Sequence, residues 1–433
     1  MLDVFCIFLL YAVQGTVQGA IFGSLPLLLR QNPSATDVDQ SHFSIVGYPF
    51  TMKFLIAPLV DGIYFARLGR RESWLLPLQL LSASMLVWLA SHIAPMLESS
   101  PPEVATLSRL LFVLVSATAA GDIATDAWAN CRMSDSRASV CQALGLTVGI
   151  QASSAFFFFL KGKGFVDVSV LFFAMGALAF MLLFFFILQM FLGGHEGDVE
   201  DEEAVGVGEV LHRVRTFCGV PNVRWWLLFS LLIPVLSGHD SVLAVRYQAL
   251  GFTPEIFSEY DLYLIPVSFI VMWLGGWIAQ TPRPMSTLAW IFVLQVMLSL
   301  GVQAHFWQSR QIGQAAVEDR TMRAIYVCLK QLSEALGTIV FVIRMSIFNR
   351  IAQNNQAIAG TVITFLASVS NLGGMLPGTW APLVVEAIGI DALAATCLGV
   401  GLSVLVLYRG KLRRMDDLQD AGWLGLGTQP HQD

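Results

Sequence analysis

Charge is scarce in this chain. Only 13% of its 433 residues are Asp, Glu, Lys or Arg, against about 25% in soluble domains, too few to solvate a globular surface. Closely spaced cysteines are also missing. Cys6, Cys131, Cys141, Cys218, Cys328 and Cys397 stand apart from one another, which argues against a disulfide framework or a zinc site. No P-loop occurs. The strict alternation of an outer-membrane barrel is absent as well, because the apolar runs are continuous. What is present is apolar: 55% hydrophobic residues and a mean hydropathy of +0.66. The class is an all-α polytopic membrane protein.

Apolar runs of about 20 residues recur roughly twelve times. Six precede an acidic stretch: 2–29, 42–66, 73–94, 104–129, 138–160 and 166–192. Six follow it: 223–250, 256–280, 285–307, 322–348, 357–387 and 391–408. The first run is too long for a signal-peptide core and has no basic leader, so it reads as a retained helix. The missing leader fits a chain that begins inside a longer sequence. Pro26, Pro49, Pro58, Pro234 and Pro266 lie in or near span ends and are expected to kink them.

Basic residues set the expected orientation. Arg67, Arg70, Arg71, Arg132, Arg137, Arg213, Arg215, Arg224, Arg283, Arg350, Arg409, Lys411, Arg413 and Arg414 fall on one face. Half as many, Arg30, Arg109, Lys161, Lys163, Arg310, Arg320 and Arg323, fall on the other. The richer face is expected to be cytoplasmic, and both termini with it. The stretch 193–222 begins with Asp198, Glu200, Asp201, Glu202 and Glu203, a solvated linker. It continues with Val207, Val210, Leu211, Val214 and Phe217 at helical spacing, a surface-lying amphipathic helix. The expected organisation is a six-helix bundle over 1–192, this linker, a second bundle over 223–409 and a cytoplasmic tail over 410–433. Six spans, a linker and six spans is the plan of the major facilitator fold.

Small residues recur every fourth position: Gly15, Gly19 and Gly23; Cys141, Gly145, Gly149 and Ser153; Gly360, Thr364 and Ser368. Such stripes let helix backbones approach closely. They serve packing, sliding or both. Gln14 and Gln18 lie beside the first stripe and are candidates to face a pathway.

Charges within spans each need a reason, because one at the bilayer centre costs about 2.5–3.5 kcal/mol. Lys53 reads either as an anion-binding group or as a structural ion pair with Asp122 or Asp240. Asp122 and Asp126 are one helical turn apart. They read as a proton-coupling pair, one carboxyl being held protonated, or as anchors for basic side chains. Arg246 could clamp phosphate oxygens bidentately. It is six residues from Asp240, so each looks to another helix or to a ligand. His239 could carry protons or be a satisfied core histidine. Lys330 and Glu334 have the spacing of a local salt bridge. Arg344, near a span end, could snorkel. Asp61, with Gly69-Arg70-Arg71, suggests the Asp–Gly–Arg–Arg gate turn of many facilitators. Seven residues separate Asp61 from Gly69 here, more than is usual.

Ordered blocks tie the chain to a family. They are LLYAVQG…GSLPLLL (9–29), FSIVGYPFTMKFLIAPLVDGIY…GRRESWLLPLQ (43–79) and GDIATDAWA (121–129). The second half adds Asp240, TPRPM (281–285) and an FN…AGT…VSNLGG run ending at Gly374. By these blocks the chain resembles the acetyl-coenzyme A transporter family, a branch of the major facilitators. Gly121 stands where that family usually has Gln, and Ala127 where it has Gly. The segment before the last span lacks the cysteine-containing insertion of animal members.

The resemblance implies carriage of acetyl-coenzyme A from cytosol into the endoplasmic reticulum or Golgi lumen. Acetyl-coenzyme A and coenzyme A would be the ligands, with no cofactor and no nucleic-acid partner; a homodimer remains open. The cargo's phosphates call for Lys53 and Arg246, and its adenine for Tyr48, Trp128 or Tyr247. Alternating access follows from the plan. Exchange against coenzyme A, uniport and proton coupling all remain open. Rival readings are a muropeptide-sugar permease, a proton-coupled metabolite or drug carrier using Asp122 and Asp126, and a non-transporting scaffold. An enzyme is disfavoured, since no catalytic constellation stands outside the spans.

Overall fold

The computed structural model describes residues 2–63, 65, 68, 72–132, 135–192, 207–353 and 359–417. Its described residues form helices and connecting turns. They divide into two compact units, Met1–Val207 with Pro254–Leu262, and Gly208–Thr253 with Tyr263–Asp433.

Unit 1 opens with α1 (Leu2–Gln18), which passes through a π-helical turn (Gly19–Ser24) into α2 (Leu25–Gln31). Pro26 follows this π-helical turn inside a continuous helical run, where its missing N–H interrupts the hydrogen-bond ladder. Thr36 and Asp39 form a reciprocal capping box that starts α3 (Asp37–Ser44). Next come α4 (Tyr48–Thr51), α5 (Lys53–Gly62), α6 (Glu72–Glu98), α7 (Val104–Arg132), α8 (Asp135–Ser153), α9 (Ala155–Gly162) and α10 (Val168–Leu192).

The glycine stripes lock α1 against α8. A Cβ at Gly149 would collide with the Ala12 carbonyl oxygen, and one at Gly15 with that of Leu146. Gly145 meets Tyr11 and Phe8 in the same way. The Ser24 hydroxyl donates to the Ser153 carbonyl at 2.6 Å. Lipid is as apolar as a leucine side chain, so this close dispersion contact holds the helices together. Around it pack Ile7, Ile21, Leu25, Leu86, Leu89, Leu111, Leu114 and Phe172, all buried.

Unit 2 contains α11 (Val207–Gly219), α12 (Pro221–Leu232), a 3₁₀ turn (Ile233–Ser237) and α13 (Asp240–Ala249). The α14 helix (Pro254–Tyr263) gives most of its length to unit 1. It meets α15 (Ile265–Ala279) at a 60° bend, with Pro266 in the first turn after it. Then follow α16 (Pro284–Ile312), α17 (Ala315–Glu318), α18 (Arg320–Gln353), α19 (Ala359–Ile388) and α20 (Ile390–Asp416). The core of unit 2 is aromatic, with Trp226 and Phe229 packed against Phe348, Phe292 and Tyr408. Phe217 joins this core, so α11 is anchored in unit 2.

Nine described helices are long and apolar enough to cross a membrane, or ten with the bent pair α14–α15 counted as one. Twelve were expected, and the difference has three sources. The second expected span is cut into α3, a 3₁₀ turn, α4 and α5 around Pro49 and Met52, so no piece is long enough. The eighth is the bent pair. The eleventh is α19, 30 residues long with Pro377 and Pro382 inside it, which is not among the nine. The described cysteines Cys6, Cys141, Cys218, Cys328 and Cys397 are free thiols.

Candidate functional site

Unit 1 gathers its polar groups from four helices. Lys53 begins α5 and forms an ion pair with Asp122 of α7, the side chains being 17% and 6% exposed. The ammonium also lies 5.0 Å from the Phe50 ring centroid, within cation–π reach. One turn further along α7, Asp126 accepts hydrogen bonds from the Tyr11 hydroxyl of α1 at 2.7 Å and from Gln142 Nε2 of α8 at 3.0 Å. The Asp126 charge also acts on Lys53. Gln14 Nε2 reaches Thr125 Oγ1 at 3.4 Å.

Lys53 is paired with Asp122, and Asp126 is held by neutral donors instead. The charge left over is spread over a phenol and an amide, which is how a dry site tolerates it. Asp122 Oδ1 is buried with no hydrogen-bond partner among the described residues. The site thus holds one unused acceptor beside its cation. Chemically it can shelter a cation, exchange a proton at a carboxylate, or release Lys53 to an incoming anion that displaces Asp122.

Of the two partners considered for Lys53, the structure brings it Asp122. Gln14 is buried and lines a cavity of about 20 Å³ with Val17, Ser82 and Thr118, room for roughly one water. Gln18 and Tyr48 are half-buried. The Trp128 and Asp61 side chains, and Arg70 and Arg71 entirely, lie outside what is described.

A second polar contact in unit 1 sits away from this cluster. Glu255, at the start of α14, accepts from Lys161 Nζ at 2.6 Å and from Gln31 Nε2 at 2.7 Å. The Gly162 backbone packs closely beside it.

Unit 2 arranges its charges differently. His239 is fully buried, and neither ring nitrogen has a hydrogen-bond partner among the described residues. Its Nε2 stands 3.5 Å from Asp240 Oδ1. That distance satisfies neither ring nitrogen, so the picture of a satisfied core histidine does not hold. Arg246 is half-buried in the last turn of α13.

Tyr247 is only 3% exposed. Its hydroxyl meets the Val302 carbonyl at 3.0 Å and His305 Nδ1 at 2.8 Å. Phe252, Phe306 and Tyr326 surround its ring, which removes it from any ligand-accessible surface. Lys330 and Glu334 form the local pair, at 3.8 Å. Arg344 does not snorkel. Its Nη1 donates to Ser370 Oγ of α19 at 2.5 Å.

Sequence reasoning passed over Tyr11, Gln142 and Ser370. One signal was available: Tyr11, Gln14 and Gln18 recur at helical spacing as a polar stripe in an apolar span. Gln142 and Ser370 carried none, because their importance comes from helices distant in sequence.

The solved structures with this architecture are transporters. A nucleoside transporter NupG structure matches at a TM-score of 0.62 and 13% identity, covering 94% of this chain and 99% of its own. A POT family transporter bound to 5-aminolevulinic acid matches at 0.62 and 12%, covering 94% and 96%. A D-xylose–proton symporter matches at 0.57 and 12%, covering 93% and 97%. The chain thus shares the fold of these three structures. The sequence model described as acetyl-coenzyme A transporter 1 matches residues 3–173, most of the first-half bundle with its polar cluster. Over that stretch the chain is similar to the acetyl-coenzyme A transporter family. An uncharacterized protein of Schizosaccharomyces pombe is 24% identical over 392 residues, covering 87% of this chain and 73% of the relative. An uncharacterized membrane protein of Saccharomyces cerevisiae is 30% identical over 182 residues, covering 38% and 32%.

Proposed function

We propose that this protein carries acetyl-coenzyme A from the cytosol into the lumen of the endoplasmic reticulum or Golgi by alternating access, returning coenzyme A. Both termini face the cytoplasm in this reading, as the excess of Arg and Lys on their side of the spans suggests. The observation that carries the proposal is the family match over residues 3–173, which includes Lys53, Asp122 and Asp126.

The Lys53–Asp122 pair suits this role. A phosphate arriving at Lys53 replaces a carboxylate with another anion, so the buried ammonium is never left bare, and leaving it bare is the costly state. Arg246, half-buried in unit 2, is a second candidate for phosphate, and Tyr48, half-buried in unit 1, for the adenine ring.

One observation favours proton coupling beside this exchange. Asp122 and Asp126 are two carboxylates one turn apart, Lys53 forms its ion pair with Asp122, and a proton is the simplest second cation.

Purified protein in liposomes, given radiolabelled acetyl-coenzyme A outside and coenzyme A inside, tests the proposal. Uptake that rises with internal coenzyme A is expected. Uptake that follows an imposed pH gradient instead assigns the coupling to protons. Transport of a neutral sugar-peptide with no uptake of acetyl-coenzyme A sinks the reading.

A further inference from the structure

The helix α18 is the least buried of the nine apolar spans. Only 6% of its apolar window is buried, against 33–72% for the other eight. Yet it carries three charges along one side. At 100° per residue, Lys330, Glu334, Gly337, Phe341 and Arg344 fall within about 80° of arc. Phe341 is 60% exposed, and a Cβ at Gly337 would meet nothing within 4 Å. Around Gly337 and Phe341 this side is therefore open, while Arg344 at its end reaches α19. Three charges on it are incompatible with hydrocarbon, so the face is wet.

Arg344 closes that face and is bound differently from six other described cations. Arg30, Lys53, Lys161, Arg283, Arg310 and Lys330 each pair with a carboxylate. Arg344 meets no carboxylate among the described residues. Its partner there is the neutral Ser370 hydroxyl. Arg344 is half-buried, so part of its side chain reaches the wet face. Ser370 accepts the bond from Arg344, so its own proton is free to be donated. Space for a ligand lies alongside: Gly374, one turn beyond Ser370, has no neighbour within 4 Å of a would-be Cβ, and Asn371 is exposed. The Lys330–Glu334 pair is about 15–21 Å away along the helix, too far to neutralise Arg344.

We infer that Arg344 and Ser370 form a phosphate-binding site in unit 2. The guanidinium grips two oxygens of a phosphate or diphosphate side by side, and the Ser370 hydroxyl donates to a third. The proposed cargo supplies such a group, so the assignment to cargo rests on the reading above. A phospholipid headgroup offers the same chemistry, and the experiment separates the two.

Protein in nanodiscs of zwitterionic lipid is titrated by calorimetry with acetyl-coenzyme A, acetyl-pantetheine, which lacks phosphates, and inorganic pyrophosphate. Wild type, Arg344→Gln, Arg344→Lys and Ser370→Ala are compared, each checked for its unfolding temperature. Arg344→Gln is expected to weaken acetyl-coenzyme A and pyrophosphate at least tenfold and to leave acetyl-pantetheine unchanged. Arg344→Lys keeps part of the affinity, and Ser370→Ala loses about threefold, which gives a readout even if one Arg344 variant misfolds. If all three variants bind acetyl-coenzyme A as wild type does, the site is refuted while the function stands. If wild type ignores acetyl-coenzyme A but binds pyrophosphate through Arg344, the site stands and the function falls. If Arg344 governs only the retention of phosphatidic acid added to the discs, the cargo assignment is overturned. Failure of wild type to bind pyrophosphate or acetyl-coenzyme A overturns the inference outright.

Discussion

Lys53 in unit 1 and Arg344 in unit 2 are both cations inside spans, and they are held in opposite ways. Lys53 meets a buried carboxylate, with a second one a turn away. Arg344 meets a neutral hydroxyl and keeps donors to spare. The first arrangement is closed by its own charges. The second is open to an anion from outside. A positive charge thus does different work according to what it is paired with.

The comparison can be broken most forcefully at Asp122. Asp122→Asn leaves Lys53 without its counter-ion, and removing one partner of a buried pair costs about 3–5 kcal/mol. A large drop in unfolding temperature in detergent is expected. The double variant Lys53→Met with Asp122→Leu should recover most of that loss, since an apolar replacement of both partners is often neutral. No recovery would mean that the pair is not the unit described here.

Gly149→Val comes next. The added side chain has to enter the α1 backbone at Ala12, and overpacking of this kind costs about 1–3 kcal/mol. Tyr11→Phe should follow, at about 1.5–3 kcal/mol for a hydrogen bond to a charged group. Gln142 remains to hold Asp126, so the lower end is expected by chemical or thermal unfolding.

The smallest stability effect belongs to Arg344→Gln, at about 0.5–1.5 kcal/mol for one bond to a neutral partner. That ordering sharpens the contrast: Asp122→Asn costs stability first, and Arg344→Gln costs binding first. An unfolding shift as large for Arg344→Gln as for Asp122→Asn would erase the distinction.

Local features were the readable ones. Lys330 and Glu334 are neighbours on one helix, so their spacing alone implied their pairing. The small-residue stripes at Gly15, Gly19, Gly145 and Gly149 announced close helix contact, though not which helices would meet. The broken second span was harder. Its residues are apolar enough to cross, and only the backbone shows that Pro49 and Met52 interrupt it before Lys53 starts α5. Tyr247 shows the limit most clearly. A tyrosine beside an arginine in a span looks like a ligand surface, yet its ring is enclosed by residues from Phe252 to Tyr326, and one-dimensional spacing says nothing of that enclosure.

By itself the sequence determined the class of protein, because hydrophobic runs with little charge have one stable home, and a helix satisfies its backbone within its own segment. It also determined which residues would be costly to bury. Only the tertiary structure decided how that cost is met. Lys53 had two candidate partners and Arg344 none in view, and both outcomes depend on helices brought together from more than 20 residues away. Electrostatic energy in a dry interior varies steeply with distance. Which cation is neutralised and which stays free is therefore settled by packing.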